Sequence, residues 1–418
     1  MSRIHQLIAS AKAGQPSGIY SVCSAHPLVL EAAIRRAKAD QSLLLIEATA
    51  NQVNQFGGYT GQTPAQFIAK VQAQAAGLGL ATEQLIFGGD HLGPVVWRKE
   101  PAEQAMQKAE ALIAAFVEAG FEKIHLDTSM ACADDPAALP DEVIAERAAR
   151  LCAVAERSAR PGQTLCYVIG TEVPAPGGVA ELEHQLEPTP VANVQQTLDS
   201  HQQAFAAAGL TTEVWHKVIA LVVQPGVEFD NQSVHLYQPQ QAVELSHFIK
   251  AQPGLVFEAH STDYQNSALL RQLVQDQFAI LKVGPELTLA LREALFCLNL
   301  MEEELQPAVP SNLRAVCKAQ MLASPGYWQS FYSKPDWQLL YSYSDRIRYY
   351  WPEQPMQQAV QQLLNNLAQP VPLPLIRQFM PDLYPAVKLG QIPAQAKALL
   401  LARLDAVLGS YATACGFH

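Results

Sequence analysis

The chain has 418 residues, 49% of them hydrophobic and 16% charged, with a formal net charge of −11. That apolar content can fill a large core and excludes a disordered or fibrous chain. The acidic balance leaves no basic stripe with which to displace counterions from nucleic-acid phosphates. Seven scattered cysteines without a CxxC pair give neither a disulfide framework nor a thiolate zinc site and read as reduced thiols. No apolar h-region follows the first residues, and no run approaches the ~20 apolar residues a bilayer requires. A cytoplasmic protein without membrane or nucleic-acid partners is expected.

Taken in chain order, short apolar runs alternate with helical patterns. Runs at 18–24 (GIYSVCS) and 43–49 (LLLIEAT) precede Thr63-Pro64, which places proline in a first helical turn. The run 85–91 (LIFGGDH) is followed by a helix pattern that begins at Pro101 and stops at Gly120. Run 123–127 (KIHLD) precedes a helix over 141–159, and run 165–172 (LCYVIGTE) a helix over 198–209. Runs at 217–225 (KVIALVVQP), 255–260 (LVFEAH) and 278–284 (FAILKVG) complete eight. Near-continuous apolar strands are what a parallel sheet buried on both faces demands. Eight such units predict a (β/α)₈ TIM barrel over residues 1–305, ending in a helix over 287–305. An open doubly wound sheet is the alternative, disfavoured because no GxGxxG turn follows the first strand. Residues 306–418, rich in Gln, Leu and Pro, read as a mostly helical extension packed on the barrel, with an aromatic insert over 327–351.

Polar residues gather where these strands end. Glu47 ends the second run, Asp90-His91 the third, Asp127 the fourth and Glu172 the fifth; Glu258 and His260 end the seventh, and Lys282 lies in the eighth. In this fold such ends converge on one mouth. Two imidazoles and a carboxylate (His91, His260, Glu172) suit a divalent metal, Zn²⁺ first and Mn²⁺, Co²⁺ or Ni²⁺ after it. A hydrogen-bonded barrel histidine is the alternative for either imidazole. Asp90, beside His91, is the candidate for moving a hydroxyl proton; a helix N-cap or a carboxylate orienting a ligand is its alternative. Glu47 and Asp127 are further acid–base candidates. His125 alternates with Asp127 but lies further from the strand end, so a supporting or core role is expected. For an anion there are Lys282, Arg346 and Arg348, with Ser261 and Asp263 after His260. The last loops of this fold often bind phosphate through backbone N–H groups and a helix N-terminus. A packed cap or subunit contact is the alternative for residues 343–351.

At these residues the sequence resembles a known family. SVCSAHP (21–27), IEATANQVNQFGGYTG (46–61), GGDHLGP (88–94), KIHLDTSM (123–130) and YVIGTEVPAPGG (167–178) are similar to the tagatose-bisphosphate aldolase subunits of the GatZ/KbaZ type. So are VVQPGVEFD (222–230), FEAHSTDYQ (257–265), AILKVGP (279–285) and SDRIRYYWP (344–352). The resemblance implies kinship with class II, metal-dependent aldolases of ketose bisphosphates. It matches their Asp-His pair to Asp90-His91 and their last histidine ligand to His260, with Glu172 standing where their middle histidine would be. Lys282-Val283 runs into Gly284-Pro285, without those enzymes' asparagine.

Family members are described both as non-catalytic partners of an aldolase subunit and as ketose-phosphate 4-epimerases. The expected function is therefore metal-dependent retro-aldol chemistry on a ketohexose phosphate, giving either C4 epimerisation or tagatose-bisphosphate cleavage, in a homo-oligomer. The rival is a protein that stabilises and activates a class II aldolase subunit through its extension, near Trp337 or Trp351. A sugar kinase is disfavoured because no P-loop or kinase-type glycine loop is visible.

Overall fold

A computed structural model describes residues 3–15, 17–170 and 186–417. Each of the eight apolar runs contributes one strand: β1 (Ile19–Val22), β2 (Leu44–Thr49), β3 (Leu85–Leu92), β4 (Lys123–Leu126), β5 (Cys166–Ile169), β6 (Val218–Val222), β7 (Val256–Ala259) and β8 (Ile280–Val283). All pair in parallel with their sequence neighbours, and β8 returns to β1 with Ile280 opposite Ile19, closing the barrel. This is the (β/α)₈ architecture, surrounded by helices and continued by further helices after Leu305. Most strands are shorter than their runs, whereas β3 runs one residue past its own, through Asp90 and His91 to Leu92.

Local chemistry sets the helix ends. The helix Pro64–Leu78 starts in a capping box, with Thr63 and Gln66 exchanging side-chain and backbone hydrogen bonds, and stops at Gly79 in the left-handed region (φ 73°). The helix expected from residue 198 begins earlier, as Val191–Ala207. Val194 is already buried on the stripe that continues to Leu198, and Pro190 sets the start. A two-residue hairpin, Glu228–Phe229 with Val234–His235, lies between β6 and β7; its length was too short to leave a pattern in the sequence.

Two features close the barrel. Below, the helix Arg3–Lys12 plugs the N-terminal end, placing Ile4, Leu7, Ile8 and Ala11 against interior Ile19, Leu45, Ile86, Val168 and Ile219. On the outside, the helix Ala396–Ala414 packs against the helices Pro27–Asp40, Ser267–Gln275 and Pro285–Leu305, so part of the extension stands in the ring of barrel helices. Gly18 N–H donates to Cys415 O at 3.2 Å, and the Tyr411 hydroxyl donates to Thr262 O at 2.8 Å. Among the described residues, no helix is long and apolar enough to cross a membrane.

Candidate functional site

The mouth is built from β2, β3, β4, β7 and β8. A regular strand sends neighbouring side chains to opposite faces, yet Asp90 and His91 both face the interior. The pairing of β3 with β4 explains this: Gly89 opposes Ile124, whereas Leu92 opposes Leu126. One extra residue is therefore bulged out at Asp90-His91, and a bulge re-aims side chains. His91 sits at φ 47°, a conformation that costs a non-glycine residue of order 1 kcal/mol and is held by its surroundings. Gly93 is required next to the bulge, because a Cβ there would lie 1.7 Å from the Asp127 carbonyl oxygen.

Four side chains gather at this point. Ligand atoms of Asp90, His91, His125 and His260 all lie within 4.8 Å of one another, and all four residues are buried. His91 Nδ1 is hydrogen-bonded to Asp127 Oδ2 at 2.7 Å, and His260 Nε2 to Glu258 Oε1 at 2.9 Å. The second nitrogens, His91 Nε2 and His260 Nδ1, are buried with no partner among the described residues. Buried polar atoms are nearly always satisfied, so two orphans in one cluster call for an occupant. A carboxylate clamping the far nitrogen of each ring is the usual support of a metal-binding imidazole. The donor set therefore fits a divalent cation. His125 Nε2 donates to Gly170 O at 3.2 Å, while its Nδ1 receives the His91 N–H at 3.2 Å and lies 3.1 Å from Asp90 Oδ1.

A layer of fully buried charge lies beneath. Lys123 Nζ bridges Glu47 at 2.6 Å and Glu258 at 2.7 Å. Lys282 Nζ pairs with Glu47 and reaches Asp90 Oδ1 at 2.8 Å. Counting Asp127, four carboxylates face two ammonium groups, so with the imidazoles neutral, as metal ligation requires, the excess is two negative charges, which a divalent cation would balance. Burial alone would depress the His91 imidazole, but Asp90 and Asp127 overcome it and raise its pKa to about 9. Burial would raise the Asp90 carboxyl, yet His91, His125 and His260 hold it well below the usual carboxylate range. The field at His91 thus favours positive charge.

The residues singled out in the sequence separate into groups. Asp90, His91, Asp127, Asp263, Lys282 and Arg348 line the mouth cavity. Glu47, an acid–base candidate, lies one layer deeper at 0% exposure, held by both lysines. Asp127 binds His91, so it orients a ring from the wall of the cavity. Glu172 lies outside the described residues. His125, expected as a core or supporting residue, has its ring 5.0 Å from that of His91 and 5.3 Å from that of His260. Lys123 was not anticipated at all. The signal was available, because 123, 125 and 127 share one face of a strand.

The expected anion seat needs correction in three places. Asp263 Oδ1 accepts the N–H groups of Gly284 and Glu286 at 2.9 and 2.8 Å, so a carboxylate already fills the helix N-terminus at the last loop. Ser261, at φ 52°, sits beside Glu228 rather than on the mouth cavity. Arg346 turns away: its guanidinium lies 3.2 Å from the Phe331 ring centroid and donates to Tyr327 O at 2.9 Å. Arg348 remains at the mouth, donating to the Tyr349 hydroxyl at 3.2 Å. Trp351, expected as a surface contact of the extension, is 4% exposed, whereas Trp337 is 38% exposed.

A closed parallel barrel with an imidazole–carboxylate cluster at the C-terminal ends of its strands defines a class: a (β/α)₈ protein with a site fit for a divalent cation. Residues 4–416 match the family described as D-tagatose-1,6-bisphosphate aldolase subunit GatZ/KbaZ-like, and the chain belongs to that family. It is also similar to the crystal structure of a probable tagatose 6 phosphate kinase from Sinorhizobium meliloti 1021, at 47% identity and a TM-score of 0.88, over 95% of this chain and 100% of that one. Weaker likenesses are a fructose-bisphosphate aldolase from Campylobacter jejuni (14% identity, 87% and 91% coverage, TM-score 0.46) and a putative fructose-1,6-biphosphate aldolase from Coccidioides immitis (13%, 88% and 96%, 0.44).

Proposed function

We propose that the protein catalyses metal-dependent, reversible cleavage of the C3–C4 bond of a ketohexose phosphate, with C4 epimerisation or release of the cleaved aldehyde as the outcome. The observation that carries this reading is the pair of orphaned nitrogens, His91 Nε2 and His260 Nδ1, each backed by a carboxylate on the other side of its ring. His91 and His260 would hold the cation, with His125 and Asp90 in reach and Glu172 the further candidate. A divalent cation there, Zn²⁺ by the donor set, supplies Lewis-acid polarisation of the substrate carbonyl.

The protein's own groups do the rest. Asp90, held ionised at the cavity wall by the neighbouring imidazoles and paired with Lys282 at 2.8 Å, accepts the C4 hydroxyl proton as the C3–C4 electron pair passes to the carbonyl side. On re-addition the same carboxylate returns that proton. Rotation of the aldehyde before re-addition inverts C4; escape gives an aldolase product. Asp127 and Glu258 fix the two rings, and Lys282 keeps Asp90 in place.

The family description supports an aldolase-related role, and its word "subunit" supports the rival in which the chain serves a partner enzyme. One experiment separates them. Metal-stripped protein is reloaded with Zn²⁺ or Mn²⁺ and incubated with ¹³C-labelled fructose and tagatose phosphates. The expected result is interconversion or cleavage seen by NMR without a partner. Tight metal binding with no turnover of any of them overturns the catalytic reading.

A further inference from the structure

Beside the mouth lies a second cavity, of about 430 Å³, that shares Cys23, Gln52, Tyr59 and Arg348 with it. The two differ in charge. Three carboxylates, Asp90, Asp127 and Asp263, line the mouth; among the described residues none lines the second cavity, whose charged groups are Lys70 and Arg348. Lys70, half-buried, has no acidic partner among the described residues, and burial lowers its pKa. Trp351 adds an indole Nε1 that is buried without a hydrogen-bond partner among the described residues, in a residue 4% exposed. His26, kept neutral by burial and by the Lys70 charge with a pKa near 3, caps its helix through the Leu28 N–H at 3.2 Å.

The loop after β2 was singled out in the sequence and has no part in the imidazole cluster; it forms one wall of this cavity. Asn54 Oδ1 accepts from Phe56 and Gly58 N–H at 2.8 and 3.1 Å. Gly58 takes φ 57°, and a Cβ there would lie 2.4 Å from Gln52 O, so only glycine permits the turn. It delivers Tyr59, Thr60 and Gln62 to the cavity. A rigid wall, an ammonium without an acidic partner and an indole N–H without an acceptor, both among the described residues, lie beside the Arg348 guanidinium in a cavity that no described carboxylate lines, a setting that suits an acceptor-rich anion.

We infer that this second cavity receives the phosphate of the ketose phosphate, held by Lys70, Arg348 and the Trp351 indole, while the sugar carbons extend into the mouth. The opposite corner is a poor seat for it, since Asp263 already accepts the N–H groups of Gly284 and Glu286 at the start of the helix Pro285–Leu305, and Glu286 lies beside it. Naming the anion as the sugar's phosphate rests on the proposed function; the anion site itself stands on the cavity.

Isothermal titration of inorganic phosphate into metal-stripped, full-length protein tests it without requiring turnover. Wild type is expected to bind saturably, Lys70→Met at least tenfold more weakly, and Lys70→Arg close to wild type, all three taking up the same amount of Zn²⁺ afterwards. Trp351→Phe should weaken phosphate severalfold. Fructose 6-phosphate should compete, and fructose should not. Absence of saturable phosphate binding, or equal affinity in wild type and Lys70→Met, overturns the inference. Failure of the catalytic reading alone would appear as phosphate binding intact and Lys70-dependent in a protein that turns nothing over.

Discussion

The lower and upper halves of the barrel are made from the same eight strands but solve opposite problems. Below, Ile19, Leu45, Ile86, Val168 and Ile219 meet the plug helix in an interior without charge. Further along the strands, Glu47, Lys123, Glu258 and Lys282 are as deeply buried and joined to one another by ion pairs. Apolar burial stabilises wherever it occurs. Burying an ion pair gives little net stability, although breaking one is costly. The lower half therefore holds the fold, and the upper half holds a field.

The largest expected effect comes from breaking that field. Lys123→Met takes from Glu258 its closest ammonium and leaves Glu47 with Lys282 alone, and a loss of ~3–5 kcal/mol in denaturant unfolding is expected. A loss below ~1 kcal/mol would show that the layer is not ionised as drawn. Next, Ile8→Ala in the plug, a side chain 2% exposed, should cost ~2–4 kcal/mol while leaving Zn²⁺ affinity unchanged. Reduced metal affinity in that variant would mean the two halves are coupled.

Asp127→Asn reverses the pattern. It removes the carboxylate from His91 Nδ1, so metal affinity should fall ~10–100-fold, read by competition with a chromophoric chelator, with little change in unfolding.

The last effect concerns pH. Burial, followed by Asp263, raises the Glu286 carboxyl from 4.5 to about 8. A carboxyl whose folded pKa is raised leaves stability intact below 4.5 and removes it as pH climbs through the folded value. Glu286→Gln should therefore gain on wild type between about pH 5 and 9, seen as diverging urea midpoints. Parallel profiles would count against the raised pKa.

The strands were legible because a sheet buried on both faces writes itself as apolar runs, and the gathering of Asp90, His91, Asp127 and His260 followed from their places at strand ends. What stayed hidden has physical causes. The bulge that turns both Asp90 and His91 inward is a register relation between β3 and β4, and register is not written in one strand alone. Lys123 opens its run, where a lysine reads as a solvated flank, yet it is 0% exposed. His125, expected as a supporting or core residue, is fully buried with both ring nitrogens hydrogen-bonded, and its nearness to His91 and His260 is a matter of barrel packing that one strand does not show. The second cavity draws Lys70, His26 and Trp351 from three separate segments, and only the folded chain brings them together.

The hydrogen bond from Tyr411 to Thr262 spans 149 residues of sequence and has a consequence in time. Thr262 lies in the loop that carries His260 and Asp263, and β1 leans on Cys415 through Gly18. During synthesis all eight strands emerge long before residue 411. Until the helix Ala396–Ala414 arrives, a nascent barrel lacks the Tyr411 hydroxyl on that loop and the packing of this helix beside β1. Contacts this distant slow folding and prolong the interval in which apolar surface is open to association. The helix that looks like a trailing addition is therefore the last stave of the barrel, and the site-bearing loop is finished only when it is set.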